Sequence, residues 1–240
     1  MNVVISQSML FPWIGLLEQI RLADVFVHYD DVQFSKGSFT NRVQVKTPNG
    51  LRWMTVPLDG HKLGQTINEV RVQSYEKWMS GHLDLLAESF AGAPYVDDVM
   101  AIVKDVYSRD YENIGLLACQ SLMTLAEYFD LLSATQFIDS SSLGIEGSSS
   151  DRVLSIVKAV GGRRYITGHG AKNYLSHEIF EAERIQVEYM NYQCVPYPQS
   201  HGLFTPYVTG LDLIANRGRA GSSNICSNSI FWKDFLNEPN

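Results

Sequence analysis

The chain has 240 residues, with 19 Lys and Arg against 26 Asp and Glu, so its formal net charge is −7. Hydrophobic residues make up 45% and charged residues 19%, an ordinary globular composition in a chain long enough to bury a core without cross-links. The acidic balance argues against a general nucleic-acid binder, which needs a basic face to release counterions. Three scattered cysteines, Cys119, Cys194 and Cys226, lack C-x-x-C spacing, so neither a disulfide framework nor a zinc site is expected, and no metal ligands are assigned. Cys119 reads as a buried core thiol. The opening lacks the basic and long apolar regions of a signal peptide, and no apolar run reaches the roughly 20 residues that span a bilayer. The cytoplasm is therefore the expected location, with no membrane insertion.

Val3–Ile5 is a short apolar run, broken by the loop Ser6–Pro12. From Trp13, the apolar positions Ile14, Leu17, Ile20 and Leu22 keep helical spacing. Val25–Val27 is a β-branched and aromatic strand signal. Together they predict a βαβ unit whose parallel strands end at one crevice. Val43–Lys46 and Arg52–Pro57 flank Asn49-Gly50, a hairpin signal. A polar loop at 59–66 and a short strand at Val70–Val72 follow. Tyr75–Ser89, Val96–Tyr107 and Ile114–Leu131 read as amphipathic helices. Thr135–Ile138 reads as a strand, and Ser148–Asp151 as the cap of a helix that Gly161-Gly162 ends. Tyr165–Thr167 and Ile185–Tyr189 are further strands, with a helical turn near His177–Ala182 between them. After an aromatic, Pro-rich loop at 192–207, Gly210–Asn216 reads as a short helix. Ile230–Trp232 is expected to dock on the body or on a second subunit. The expected fold is α/β: a mostly parallel sheet opening with a βαβ unit, a β-hairpin excursion and a helical middle. Residues 1–240 read as one domain, with 75–132 as an inserted helical subdomain.

No P-loop, G-x-S-x-G elbow or H-E-x-x-H motif is present, so candidate chemistry rests on clusters. Asp30-Asp31-Val32-Gln33 lies at a strand end, where adjacent side chains point to opposite sides. Either one carboxylate faces the crevice as a general base or ligand partner while the other pairs with Arg42 or Lys36, or the pair is an Asp-capped turn with surface salt bridges. Asn41-Arg42 opens the hairpin. Arg42, Lys36 and Lys46 either hold a diphosphate or form a solvated basic face. Gln7 and Trp13 flank Pro12 in the loop into the first helix, which either faces a ligand or packs onto the sheet. His169, between two glycines after a strand, is a candidate acid/base or a surface histidine, with Tyr174 close by. Gln199 belongs to an aromatic, Pro-rich loop that either packs on itself or stacks on a flat ligand. Asp212 and Asn216 lie one helical turn apart, as a binding pair or a cap.

These residues resemble the WbqC-like protein family, found among bacterial O-antigen and surface-polysaccharide synthesis proteins. The motifs are Gln7-Ser8-Met9-Leu10-Phe11-Pro12-Trp13-Ile14-Gly15, Ala23-Asp24-Val25-Phe26-Val27, Asp30-Asp31-Val32-Gln33-Phe34, Asn41-Arg42 and Trp53-Met54-Thr55-Val56-Pro57. Ser140-Ser141, Tyr165-Ile166-Thr167-Gly168, Gln199, Phe204-Thr205-Pro206 and Asp212 follow. Ser6-Gln7-Ser8 departs from the His-Gln-Pro of many members, which leaves no acid/base group at position 6. The resemblance implies acyl or aminoacyl transfer to the amine of a nucleotide-linked amino sugar. Asp30, Asp31 or His169 would be the base, and Gln7, Trp13, Gln33, Lys36, Asn41, Arg42, Ser141, Tyr174, Gln199, Asp212 and Asn216 the substrate-binding set. Backbone N–H groups near the first helix would hold the oxyanion. The donor would be a thioester of coenzyme A or of an acyl carrier protein, with no tightly bound cofactor. A second copy of the chain is a further candidate partner. ATP-dependent nucleotidyl transfer and a non-catalytic sugar-binding or scaffolding subunit are the alternatives.

Overall fold

A computed structural model describes residues 1–237. The chain opens with β1 (Asn2–Ser6), α1 (Ile14–Leu22) and β2 (Val25–His28), and β1 and β2 pair in parallel with Val3 opposite Val25 and Ser6 opposite His28. The hairpin strands β3 (Arg42–Thr47) and β4 (Gly50–Thr55) and the short pair β5 (Leu58–Asp59) and β6 (Arg71–Val72) come next. Helices α2 (Met79–Ser89), α3 (Val96–Tyr107) and α4 (Ile114–Tyr128) complete the excursion before the chain returns at β7 (Gln136–Asp139). Helix α5 (Ser149–Ala159), β8 (Arg164–Thr167), α6 (His177–Ala182) and β9 (Gln186–Asn191) follow. Helix α7 (Gly210–Arg217), β10 (Asn228–Phe231) and α8 (Trp232–Asn237) end the described chain.

One six-stranded sheet runs β10-β9-β8-β1-β2-β7, parallel except for β10, which pairs antiparallel with β9. The expected α/β architecture is therefore present, with its βαβ opening, hairpin and helical middle. The Ile230–Trp232 segment docks on the body, as β10 and the start of α8. Period-two alternation sorts the strand residues between two apolar layers. Val3, Ile5, Val25, Val27, Tyr165 and Val187 face α5 and α6, whereas Val4, Phe26 and Ile166 face the layer of α1, α4 and α7. Burial on both faces explains why these strands read as unbroken apolar runs.

The sheet grows from β1 towards β7, then restarts on the other side of β1 at β8. That reversal places a crevice beyond the carboxyl ends of β1 and β8, where open α/β sheets bind ligands. Locally, two details differ from the sequence reading. Pro48 and Asn49 form the hairpin corner, while Gly50 pairs with Thr47 at φ +101°. Tyr75–Lys77 forms a separate 3-10 turn, and α2 begins only at Met79.

Candidate functional site

A cavity of about 1140 Å³ fills the crevice. Its floor is the end of β1 and β8, with Ile5, Ser6 and Thr167. Its walls are the loops that follow each strand: Gln7 to Trp13 after β1, Tyr29 to Gln33 after β2, Gly168 to Tyr174 after β8, and Tyr192 with Cys194 after β9. Gly147, Ser148 and Ser149 at the start of α5 close one side. Phe39, Gln44 and Tyr207 form part of the lining.

The first loop is tied to α4 and α7 by hydrogen bonds. Phe11 N–H donates to Ser121 Oγ (2.8 Å), Thr209 Oγ1 donates to the Phe11 carbonyl (2.8 Å), and Gly210 N–H donates to the Pro12 carbonyl (2.7 Å). Trp13 is thereby presented to the cavity, 4.9 Å from the Tyr192 ring and 5.9 Å from Tyr207. The Trp13 ring also lies on Gly15, where a Cβ would meet it at 2.3 Å. The start of helix α1 therefore carries an indole beside the cavity.

The aspartate pair does split, but with other partners than expected. Asp31 lines the cavity and accepts from Arg152 Nη2 (2.5 Å) on Oδ2 and from Ser140 Oγ (2.5 Å) on Oδ1. Arg152 also donates through Nε to the Ile145 carbonyl and lies over the Tyr29 ring at 4.9 Å. Burial raises the Tyr29 hydroxyl above its usual pKa, with the Arg152 charge opposing. Asp30 turns the other way. It accepts from Ser8 N–H (2.8 Å) and Ser8 Oγ (2.5 Å), and burial pushes its carboxyl up to about 6. Behind it, Ser8 Oγ lies 3.0 Å from His28 Nδ1, and Cys119 Sγ lies 3.6 Å from His28 Nε2. Cys119 is half-buried, and burial pushes its thiol up to about 12.

His169 is the cavity's candidate base. Its Nε2 lies 2.7 Å from the Met190 carbonyl, so Nε2 carries the donated proton and Nδ1 is left as the acceptor in the neutral ring. Tyr192 and Phe235 pack against the imidazole at 5.0 and 4.8 Å. Tyr192 is itself fixed by Gln19, whose Nε2 donates to its hydroxyl at 3.0 Å.

The structure brings Gln7, Trp13, Asp31, Gln33, His169 and Tyr174 to this cavity. The remaining candidates lie elsewhere. Asn41 is buried and donates to the Val56 carbonyl. Arg42 stacks on Trp53 at 4.1 Å, and Lys36 is exposed. Neither pairs with an aspartate, and Lys46 turns inward to Gln199 Oε1 (3.0 Å) and the Leu203 carbonyl (2.5 Å). Gln199 Nε2 donates to Tyr197 Oη, Tyr197 Oη–H donates to Asp212 Oδ1, and Asn216 Nδ2 donates to the Asp212 carbonyl. That network ties the aromatic loop to α7 and the hairpin. Burial pushes the Asp212 carboxyl up to about 6. Ser141 is exposed, and its neighbour Ser140 is the serine that reaches Asp31. Sequence reasoning missed Arg152. The signal was a cation in the first turn of a helix, against the macrodipole, which calls for a carboxylate partner elsewhere.

The chain matches the WbqC-like protein family over residues 7–224. It belongs to that family. The uncharacterized protein Rv1507c of Mycobacterium tuberculosis is 27% identical over 220 residues, covering 90% of this chain and 94% of that protein. No solved structure matches. The WbqC-like match begins at Gln7 and includes every cavity loop named above. Among the described residues, no helix is long and apolar enough to cross a membrane.

Proposed function

We propose that this WbqC-like protein transfers an acyl or aminoacyl group to the amine of a nucleotide-linked amino sugar in surface-polysaccharide synthesis. The reading rests on one observation: a large, aromatic-walled cavity at the strand-order reversal holds a histidine whose acceptor nitrogen is set by a backbone carbonyl. Aromatic faces such as Trp13 and Tyr192 suit a flat base or a sugar face. The amine nitrogen attacks the thioester carbonyl, the new C–N bond forms and the C–S bond breaks. His169 Nδ1 takes the amine proton and returns it to the departing thiolate. Asp31 has both oxygens engaged, so it acts by holding Arg152. Arg152, with the N–H groups at the start of α5, faces the developing oxyanion or a phosphate.

The reversal between β1 and β8 also suits a bound nucleotide in a second reading, ATP-dependent nucleotidyl transfer. One assay separates the readings. The purified protein is incubated with dTDP- or UDP-linked amino sugars and coenzyme A thioesters, then separately with ATP. Free thiol and a sugar amide, detected by mass spectrometry, support acyl transfer. Pyrophosphate release from ATP overturns it in favour of nucleotidyl transfer. A thermal shift with the sugar nucleotide and no turnover with any donor overturns it in favour of a binding subunit.

A further inference from the structure

Residues 32–72 differ electrically from the rest of the molecule. They hold six basic residues, Lys36, Arg42, Lys46, Arg52, Lys62 and Arg71, against Asp59 and Glu69, a net +4 where the remaining chain carries −11. Among the described residues none of the six forms an ion pair, and the ion pairs present all lie elsewhere. Arg52 and Lys62 are exposed.

The same segment exposes large apolar side chains. Leu51 and Trp53, on one side of β4, are 48% and 42% exposed, and Phe39 is 48% exposed. Phe39 lies 5.9 Å from Trp53, and Trp53 pairs across the hairpin with Gln44. Phe39 and Gln44 both line the cavity, so this patch runs without a break into the mouth of the site. An apolar centre with the Arg42 guanidinium stacked on it, in a segment of net positive charge, is the anatomy of an interface for an anionic protein.

We propose that the β3–β4 arm docks a small acidic carrier protein, which delivers a thioester-linked group into the cavity. This rests on the acyl-transfer reading above. The occupant follows from charge: an acidic partner is drawn to the arm and repelled by the acidic body, which directs it to the cavity rim. A free coenzyme A thioester has no use for the apolar platform, and a second copy of the chain is the competing occupant.

The test titrates a purified acidic acyl carrier protein, with and without its phosphopantetheine arm, against wild type, Arg52→Glu/Lys62→Glu and Trp53→Ala. Both forms are expected to bind wild type, more weakly at about 300 mM than at about 50 mM salt. The charge reversal and Trp53→Ala should each weaken binding about tenfold or more. Neither variant should change the thermal shift given by a free coenzyme A thioester. No binding, or binding indifferent to the charge reversal, overturns the proposal. So does a dimer in sedimentation that Trp53→Ala dissolves without any carrier binding. Carrier binding without amide formation leaves the surface standing and removes the transfer reading. Transfer from coenzyme A thioesters without carrier binding does the reverse.

Discussion

Asp30 and Asp31 are neighbours in sequence with opposite surroundings, and each makes its own prediction. Arg152→Met leaves Asp31 enclosed with Ser140 alone, and a denaturant titration should show a loss of about 3 kcal/mol. Asp31→Asn in the same background should restore part of it. His169→Ala should lower kcat for transfer at least about a hundredfold, the usual contribution of a positioned base, with little change in thermal midpoint. The buried carboxyls predict a pH signature. With folded pKa values raised to about 6, Asp30 and Asp212 keep their protons while the unfolded chain ionises from near pH 4 upward. Their contribution to stability therefore falls as pH rises from about 4 to about 6, by about 3 kcal/mol each, and is flat above. His82, lowered to about 4 by burial, contributes in the opposite sense over a similar range. The wild-type curve is thus partly cancelled, and the difference curve is the clean measurement. Asp212→Asn should gain about 3 kcal/mol relative to wild type between pH 4 and pH 7 in urea titrations. A difference that stays constant with pH would rule out this account. At this scale the sequence showed that the aspartates diverge, because alternation on an extended segment is local. It could not show the partners of Asp31: Arg152 and Ser140 are more than 100 positions away.

Helices and strands were legible where a period was long and clean. α3, with Val99, Val103 and Val106 buried, and α5, with Val153, Ile156 and Val157 buried, fall where the apolar spacing puts them. The ends were less legible, because caps depend on neighbours. Ser148 occupies the N-cap position of α5 yet makes no capping hydrogen bond. At the other end, Gly161 adopts φ +75° and stops the helix as expected. Gly162 has a different duty. A Cβ there would meet Val157 Cγ1 and Val3 Cγ2 at 2.6 Å, so the glycine lets the α5 exit pass against β1. Gly162→Ala should cost about 1–3 kcal/mol by overpacking, read as a lower urea midpoint with an unchanged slope. The composition of the aromatic loop left two readings open, a ligand platform and a packed loop, for a physical reason. Gln199, Tyr197 and Asp212 have the composition of a binding platform, but their hydrogen bonds close on one another and on Lys46.

At the scale of the molecule, the parallel opening was readable from strand, helix and strand within about 30 residues. The strand order was not, because nothing local in Arg164–Thr167 says that it returns to the other side of β1. That order makes β9, β8, β1 and β2 the interior of the sheet, with β7 at one rim and β10, turned antiparallel, at the other. Amide hydrogen exchange should accordingly be slowest in these four interior strands. It should be fastest in α8, which buries no residue. Equal protection of α8 and β1 would contradict this layering.

The place of β1 has a consequence for synthesis. Asn2 takes Arg164 as its partner on one side, while the other side is filled early, by Val25 and its neighbours. Chains emerge from the ribosome at about 5–20 residues per second, so Val3-Val4-Ile5 waits roughly 8–30 s for its second neighbour. During that interval one apolar strand edge is open to other nascent chains. Expression yield should therefore respond to holding chaperones that shelter the N-terminal segment, even though the finished sheet covers it completely.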